Sequence, residues 1–176
     1  MSPGTVSSVT TARGAARRVP WGAFDQYAVR ELYDDYAAFL DAGDYESWLE
    51  LFDESASYTV TARENVERGL PLATIRCDSR GMLADRLDAL ESTQFYARRI
   101  TRHVITAIRP VHIDSDRLHT SANFLLVETI EDESTRIQSA GSYDDVIVMI
   151  GGEPRFVEKR AVYDAALVPT SIIVPL

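Results

Sequence analysis

The chain has 176 residues, with 18 Lys and Arg against 27 Asp and Glu, one Cys and three His. That length fits one domain, which buries roughly 70% of its unfolded surface. The net charge of −9 argues against binding a phosphate backbone, and one Cys cannot form an intrachain disulfide, a Cys-rich zinc site or an iron–sulfur cluster.

Residues 1–22 read as a flexible arm: small polar residues, a basic end at Arg13, Arg17 and Arg18, then Pro20. The arm lacks the continuous apolar core of a secretory signal, and no apolar run in the chain reaches the 18 or so residues of a membrane span. Cytoplasmic localisation is the default expectation. Residues 23–176 read as one domain.

Val29, Leu32, Tyr33, Tyr36, Phe39 and Leu40 recur at three- and four-residue steps, which predicts an amphipathic helix over 25–42. Gly43 supplies a stop, and Asp44 caps a second short helix carrying Trp48, Leu49 and Phe52. A short strand over 58–61 follows, then a charged loop over 63–70 and a strand over 72–77. Asp78 or Ser79 caps a third helix, with Met82, Leu83, Leu87 and Leu90 on one side.

The period then changes from helical to two-residue. Segments 103–113, 118–127, 135–150 and 156–163 are rich in Val, Ile, Tyr and Thr and read as strands. The runs from Asp114 to Arg117 and from Gly151 to Pro154 punctuate them. Helices first and an antiparallel sheet after is the α+β pattern. A strongly curved sheet over the helices makes a cone with an apolar mouth.

A hairpin turning at Ser115 and Asp116 pairs Ile113 with Leu118 and His112 with His119. The same register sets Val111 against Thr120, Ala107 against Phe124, Ile105 against Leu126, and His103 against Glu128. His103 then shares the face of Ile105, Phe124 and Leu126, while His112 and His119 lie on the other face. Nine residues separate His103 from His112, roughly 30 Å along a strand, so the three His do not converge on one metal.

His103 is the histidine predicted inside, either as a general base or as a core residue bonded to a carboxylate such as Glu128. Cys77 has no local His partner and reads as a buried structural thiol. Gly151 and Gly152 sit between strands, not at a helix start, so they form a turn and not a phosphate loop. Tyr33, Tyr36 and Tyr58 are polar-tipped aromatics at core-facing positions; they line a pocket or fill the core. Arg63, Arg68, Arg76, Arg80, Arg86, Arg98, Arg99 and Arg102 gather in the middle third of an acidic chain, either as an interface or as a solvated surface.

Three blocks carry a resemblance: Ala62 to Asn65, Arg68 to Leu72, and Arg76-Cys77-Asp78-Ser79-Arg80-Gly81-Met82-Leu83-Ala84-Asp85-Arg86. With Thr101-Arg102-His103-Val104-Ile105, Gly141-Ser142-Tyr143-Asp144-Asp145 and Lys159-Arg160-Ala161-Val162-Tyr163-Asp164, they resemble the small (beta) subunit of aromatic ring-hydroxylating Rieske dioxygenases. The resemblance runs from about Phe24 to Leu176. Its middle block is nearest to oxygenases for aromatic carboxylates such as terephthalate, salicylate or anthranilate.

The resemblance implies a cone-shaped nuclear-transport-factor-2-like fold and a non-catalytic structural subunit. It implies an alpha subunit as partner, in an α3β3 assembly with beta–beta contacts. The Rieske [2Fe–2S] cluster and mononuclear Fe(II) would lie in that alpha subunit, fed by NADH through a reductase. This chain would hold no cofactor and no metal, and would bind neither nucleic acid nor membrane. Interface candidates are Arg63, Arg68, Arg80, Arg86 and Arg102. The same cone also resembles ketosteroid isomerase, scytalone dehydratase and polyketide cyclases. A stand-alone enzyme of that kind would use His103 as base, with Tyr58 and Asp35 polarising or orienting. A ligand-binding module is a third option.

Overall fold

Helix α1 (Gln26–Ala42) begins where the Asp25 carboxylate accepts from the Tyr27 N–H at 2.8 Å. It stops at Gly43, whose φ of 72° closes the helix with N–H bonds to the carbonyls behind it. The computed structural model describes residues 19–92, 99–131, 133–165 and 175–176, with side chains from 90 to 92 left aside. The flexible-arm reading falls mostly on residues 1–18, outside the described residues. Trp21, within the segment read as an arm, packs against the core.

The predicted stripe of α1 is buried at Val29, Leu32, Tyr33, Tyr36 and Leu40. Helix α2 (Tyr45–Glu50) is capped by Asp44, as its spacing predicts, and buries Trp48. Phe52 is not on that helix, contrary to the expectation: it opens strand β1 (Phe52–Ala62). Asp53 binds the N–H and hydroxyl of Ser55, and this polar irregularity hides the strand's period at its start. The expected loop over 63–70 contains a short exposed helix, α3 (Arg63–Glu67). Strand β2 (Ile75–Cys77) is shorter than predicted, because Leu70 and Leu72 stay exposed around Pro71. In helix α4 (Arg80–Ser92), the Ser79 hydroxyl accepts from the Met82 N–H. Leu83 and Leu87 are buried, but Met82 points to solvent and receives the Asp78 N–H on its sulfur.

Four long strands follow: β3 (Arg99–Asp114), β4 (Arg117–Ile130), β5 (Arg136–Ile150) and β6 (Glu153–Tyr163). The sheet order is β2-β1-β6-β5-β4-β3, antiparallel throughout except for β1 beside β6. Gly151 and Gly152, both at positive φ, make the two-residue turn between β5 and β6.

The β3–β4 register agrees with prediction at the turn, where Ile113 faces Leu118 and His112 faces His119. It then departs: Pro110 faces Thr120, Ile105 faces Phe124, and His103 faces Leu126, not Glu128. Two bulges on β3, one with Ala107 at φ 54°, each insert one residue. Their sum is even, so inward residues stay inward. His103, Phe124 and Leu126 are all buried on the predicted face, while His112 and His119 stack outside at 3.8 Å between ring centroids.

The core lies between α1, α2, α4 and the inner face of the curved sheet. Aromatics fill it: Trp48 lies 4.7 Å from Phe52 and 5.6 Å from Tyr36, and Phe124 stacks on Tyr143 at 4.7 Å. Gly141 is inward too. A Cβ there would stand 2.1 Å from the Val162 carbonyl oxygen, so any side chain would part β5 from β6.

One end of β4 is held by charge. Glu128 is buried and accepts from Arg99 at 2.7 Å and Arg136 at 2.9 Å. Burial alone would raise its carboxyl, but the Arg136 and Arg99 hydrogen bonds outweigh that and hold it below the ordinary glutamate range. The folded value lies below the unfolded one, roughly 4.3. The stabilisation is therefore complete above that pH and is lost as pH falls through the folded value. Glu128→Gln is expected to flatten this part of the acid-denaturation profile. Urea titrations at several pH values between neutrality and acid check it, and an unchanged acid slope would refute it.

Candidate functional site in the cone interior

Two polar clusters sit inside the cone. The first is built on adjacent strands. Lys159, the single lysine of the sequence, and Asp145 are register partners on β6 and β5, and both side chains are wholly buried. Lys159 Nζ donates to Asp145 Oδ2 at 2.8 Å, Tyr33 Oη donates to the same oxygen at 2.6 Å, and the Arg160 N–H donates to Oδ1. Tyr33 Oη also bonds Thr120 Oγ1. The ammonium lies 3.2 Å from the Tyr143 ring centroid and 4.6 Å from that of Tyr36. Burial lowers the Lys159 ammonium to about 8, against the opposing pull of Asp145, and raises the Asp145 carboxyl against the pull of Lys159.

The second cluster surrounds Pro175 and Leu176. His103 Nδ1 lies 2.7 Å from Asp41 Oδ1, and Nε2 lies 3.1 Å from the Pro175 carbonyl oxygen. The His103 backbone N–H also donates to the Asp41 carboxylate, which satisfies an amide of edge strand β3. Tyr36 Oη donates to the Leu176 backbone oxygen, and Tyr58 Oη donates to it at 3.0 Å. The Leu176 N–H returns a bond to Tyr58 Oη at 2.8 Å. Burial pushes Tyr33, Tyr36, Tyr58 and Tyr143 up, so these hydroxyls remain donors at physiological pH.

Of the residues singled out in the sequence for catalysis, His103 and Tyr58 meet here, through Pro175 and Leu176. Asp35 does not join them; it is half-buried on α1. The carboxylate on His103 is Asp41, not Glu128, which is engaged by two arginines. Asp41 was findable: it follows Tyr33 by eight residues, on the flank of the same helical stripe. Asp145 and Lys159 were also legible, since each alternates with apolar neighbours at inward positions. Cys77 is buried, and burial raises its thiol, which fits a structural role.

The chain's donor set does not fit a Rieske centre, which takes two Cys and two His. The one Cys is on β2, His112 and His119 stack at an outer hairpin tip, and His103 is engaged inside. Among the described residues no group of three His, Cys, Asp or Glu is placed to hold a metal ion.

Except for Arg86, the interface candidates sit apart from this interior. Arg63 pairs with Asp164, Arg68 with Glu64 at 2.8 Å, and Arg80 with Glu50. Arg86 is half-buried, and its charge acts on Tyr58 and Cys77. Arg102 is exposed on β3 and donates to the Thr101 carbonyl. Exposed Ile100 and Val104 flank it on the outer face, Leu125 lies opposite Val104, and Ile137 lies one strand further on.

Helices packed into a curved six-stranded sheet define a cone of the nuclear-transport-factor-2 type, with a largely filled interior. The chain belongs to the ring-hydroxylating beta-subunit family, whose model matches residues 36–170. It is 28% identical over 150 residues to the anthranilate 1,2-dioxygenase small subunit of Burkholderia cepacia, covering 85% of this chain and 93% of that one. It is 29% identical over 141 residues to subunit beta 2 of the terephthalate 1,2-dioxygenase terminal oxygenase component of a Comamonas species, covering 80% and 92%. A crystal structure assigned to the beta subunit of an aromatic-ring-hydroxylating dioxygenase from Novosphingobium aromaticivorans superposes with a TM-score of 0.77 at 34% identity, covering 86% and 96%. No helix among the described residues is long and apolar enough to cross a membrane.

Proposed function

We propose that this chain is the non-catalytic structural subunit of the terminal oxygenase of an aromatic ring-hydroxylating dioxygenase. Its partner is an alpha subunit that carries the Rieske [2Fe–2S] cluster and the mononuclear Fe(II), in a cytoplasmic α3β3 assembly with beta–beta contacts. The anthranilate and terephthalate enzymes among its relatives support an aromatic carboxylate as the substrate of the complex.

The observation that carries the reading is the engagement of the cone's donors. His103, Tyr36 and Tyr58 spend their hydrogen bonds on Asp41, Pro175 and Leu176. A stand-alone isomerase or dehydratase needs such groups open to substrate. That alternative is further disfavoured by the relatives, which are small subunits.

The partner's footprint is assigned to the outer face of β3, β4 and β5, where Arg102 stands among Ile100, Val104, Leu125 and Ile137. An arginine within an apolar patch is the usual anchor of a subunit interface. Arg63, Arg68, Arg80 and Arg86 contribute at most after exchanging or extending their present contacts. Removing one partner of a buried interfacial ion pair costs about 2–5 kcal/mol.

Co-expression with the neighbouring large subunit is expected to yield a stable complex, and Arg102→Glu to lower its recovery at least several-fold. Omitting this chain is expected to lower ring hydroxylation. Failure to co-purify, with hydroxylation unchanged in its absence, would overturn the reading.

A further inference from the structure

We propose that the cone interior is a binding site for a small apolar carboxylate, and that Pro175 and Leu176 occupy it as an internal surrogate ligand. This goes beyond the subunit role and does not depend on it. The polar groups around these two residues face acceptors, and Tyr58 Oη also accepts the Leu176 N–H. Tyr36 and Tyr58 converge on one oxygen, the backbone oxygen of Leu176. Both ring nitrogens of His103 face acceptors, the Asp41 carboxylate on one side and the Pro175 carbonyl on the other. Two hydroxyls converging on one oxygen suit a carboxylate better than a neutral carbonyl, because hydrogen bonds to an ionised acceptor are the stronger ones.

A further donor is unused. Tyr143 is wholly buried, and its hydroxyl has no hydrogen-bond partner among the described residues. Its ring centroid lies 6.5 Å from that of Tyr33, in the first polar cluster, and 6.0 Å from that of Tyr36, in the second. A buried hydroxyl without a partner carries a desolvation cost that a bound oxygen would remove. The rest of the enclosure is apolar: Trp48, Phe52 and Phe156 pack around the Tyr36 ring, and Leu176 is itself buried among core residues. Aromatic walls with a few convergent donors are the pattern of a small-molecule site. The ligand class that matches is an aryl or branched-alkyl monocarboxylate of about the size of a leucine residue.

A tethered segment competes at high effective concentration, so the native chain should bind such an acid only weakly. The experiment uses benzoate as probe, toluene as its uncharged counterpart, and the full chain with Leu176→Gly, which empties the side-chain volume. Calorimetry is expected to show benzoate binding at least 10-fold tighter to Leu176→Gly than to the native chain. Tyr58→Phe in the Leu176→Gly background should weaken it at least 10-fold, and toluene should bind less tightly than benzoate. No gain on Leu176→Gly, indifference to Tyr58→Phe, or toluene binding as well as benzoate would each overturn the proposal, the last marking a mere apolar cavity. If Leu176→Gly does not fold, hydrogen exchange at the Leu176 amide of the native chain decides. Saturating benzoate should accelerate it several-fold, and an unchanged rate refutes the exchange of ligand for segment.

Discussion

Replacing Lys159 with methionine is expected to destabilise the chain by about 3–5 kcal/mol, because it leaves the Asp145 carboxylate buried without its counter-charge. The loss exceeds that of a surface ion pair, typically about 0.2–1 kcal/mol, because neither side chain touches water. The cation–π contacts with Tyr143 and Tyr36 are lost as well. Asp145 keeps its bonds from Tyr33 and Arg160, so the variant should still fold at low temperature. Asp145→Asn in the same background removes the orphaned charge while keeping an acceptor for Tyr33. The double variant is therefore expected to recover at least half of the loss. Urea unfolding measures both, and a single variant within 1 kcal/mol of the native chain, or a double variant no better than the single, would refute the argument.

The same pair sets an alkaline signature. The Lys159 ammonium in the folded chain sits at about 8, below its ordinary unfolded value of roughly 10.4. Between the two, the unfolded chain binds the extra proton, so this group makes stability rise with pH across that window. Below about 8 its desolvation cost is fully present. Because Lys159 is the single lysine, nitrogen NMR of its ammonium reports the titration without overlap.

How much of this was readable in the chain differs from place to place. Caps and turns were, because they rest on local chemistry: Gly43, Asp44 and the Gly151–Gly152 turn act through their own backbone neighbours. The His112–His119 pairing was readable for the same reason, being close to its turn. The register near His103 was not. It depends on two bulges, and neither Ala107 nor Val111 has a side chain that announces one. Tertiary placement chose Asp41 over Glu128 as the partner of His103, since α1 lies against the β3 edge while Glu128 meets two arginines. The seating of Pro175 and Leu176 in the cone had no local signal at all. It joins residues more than seventy positions apart, and it determines whether the tyrosines and His103 face solvent or backbone.

Trp48→Ala is expected to cost about 3–5 kcal/mol, a loss on the scale of the orphaned Asp145. Trp48 is wholly buried and touches Tyr36, Phe52 and Tyr58, the rings that join α1, α2 and β1. Removing the indole leaves a cavity at that junction, and rigid rings collapse into it poorly. Trp48→Phe should cost much less than the alanine change. The indole N–H has no hydrogen-bond partner among the described residues, so phenylalanine forfeits volume but no bond. Thermal unfolding of both variants separates packing from polarity: near-equal losses would mean the N–H is engaged after all. The comparison also bears on function, because Tyr36 and Tyr58 hold Leu176 in place. Loosening their shared aromatic wall should free that segment, so Trp48→Ala is expected to speed exchange at the Leu176 amide where Trp48→Phe does not.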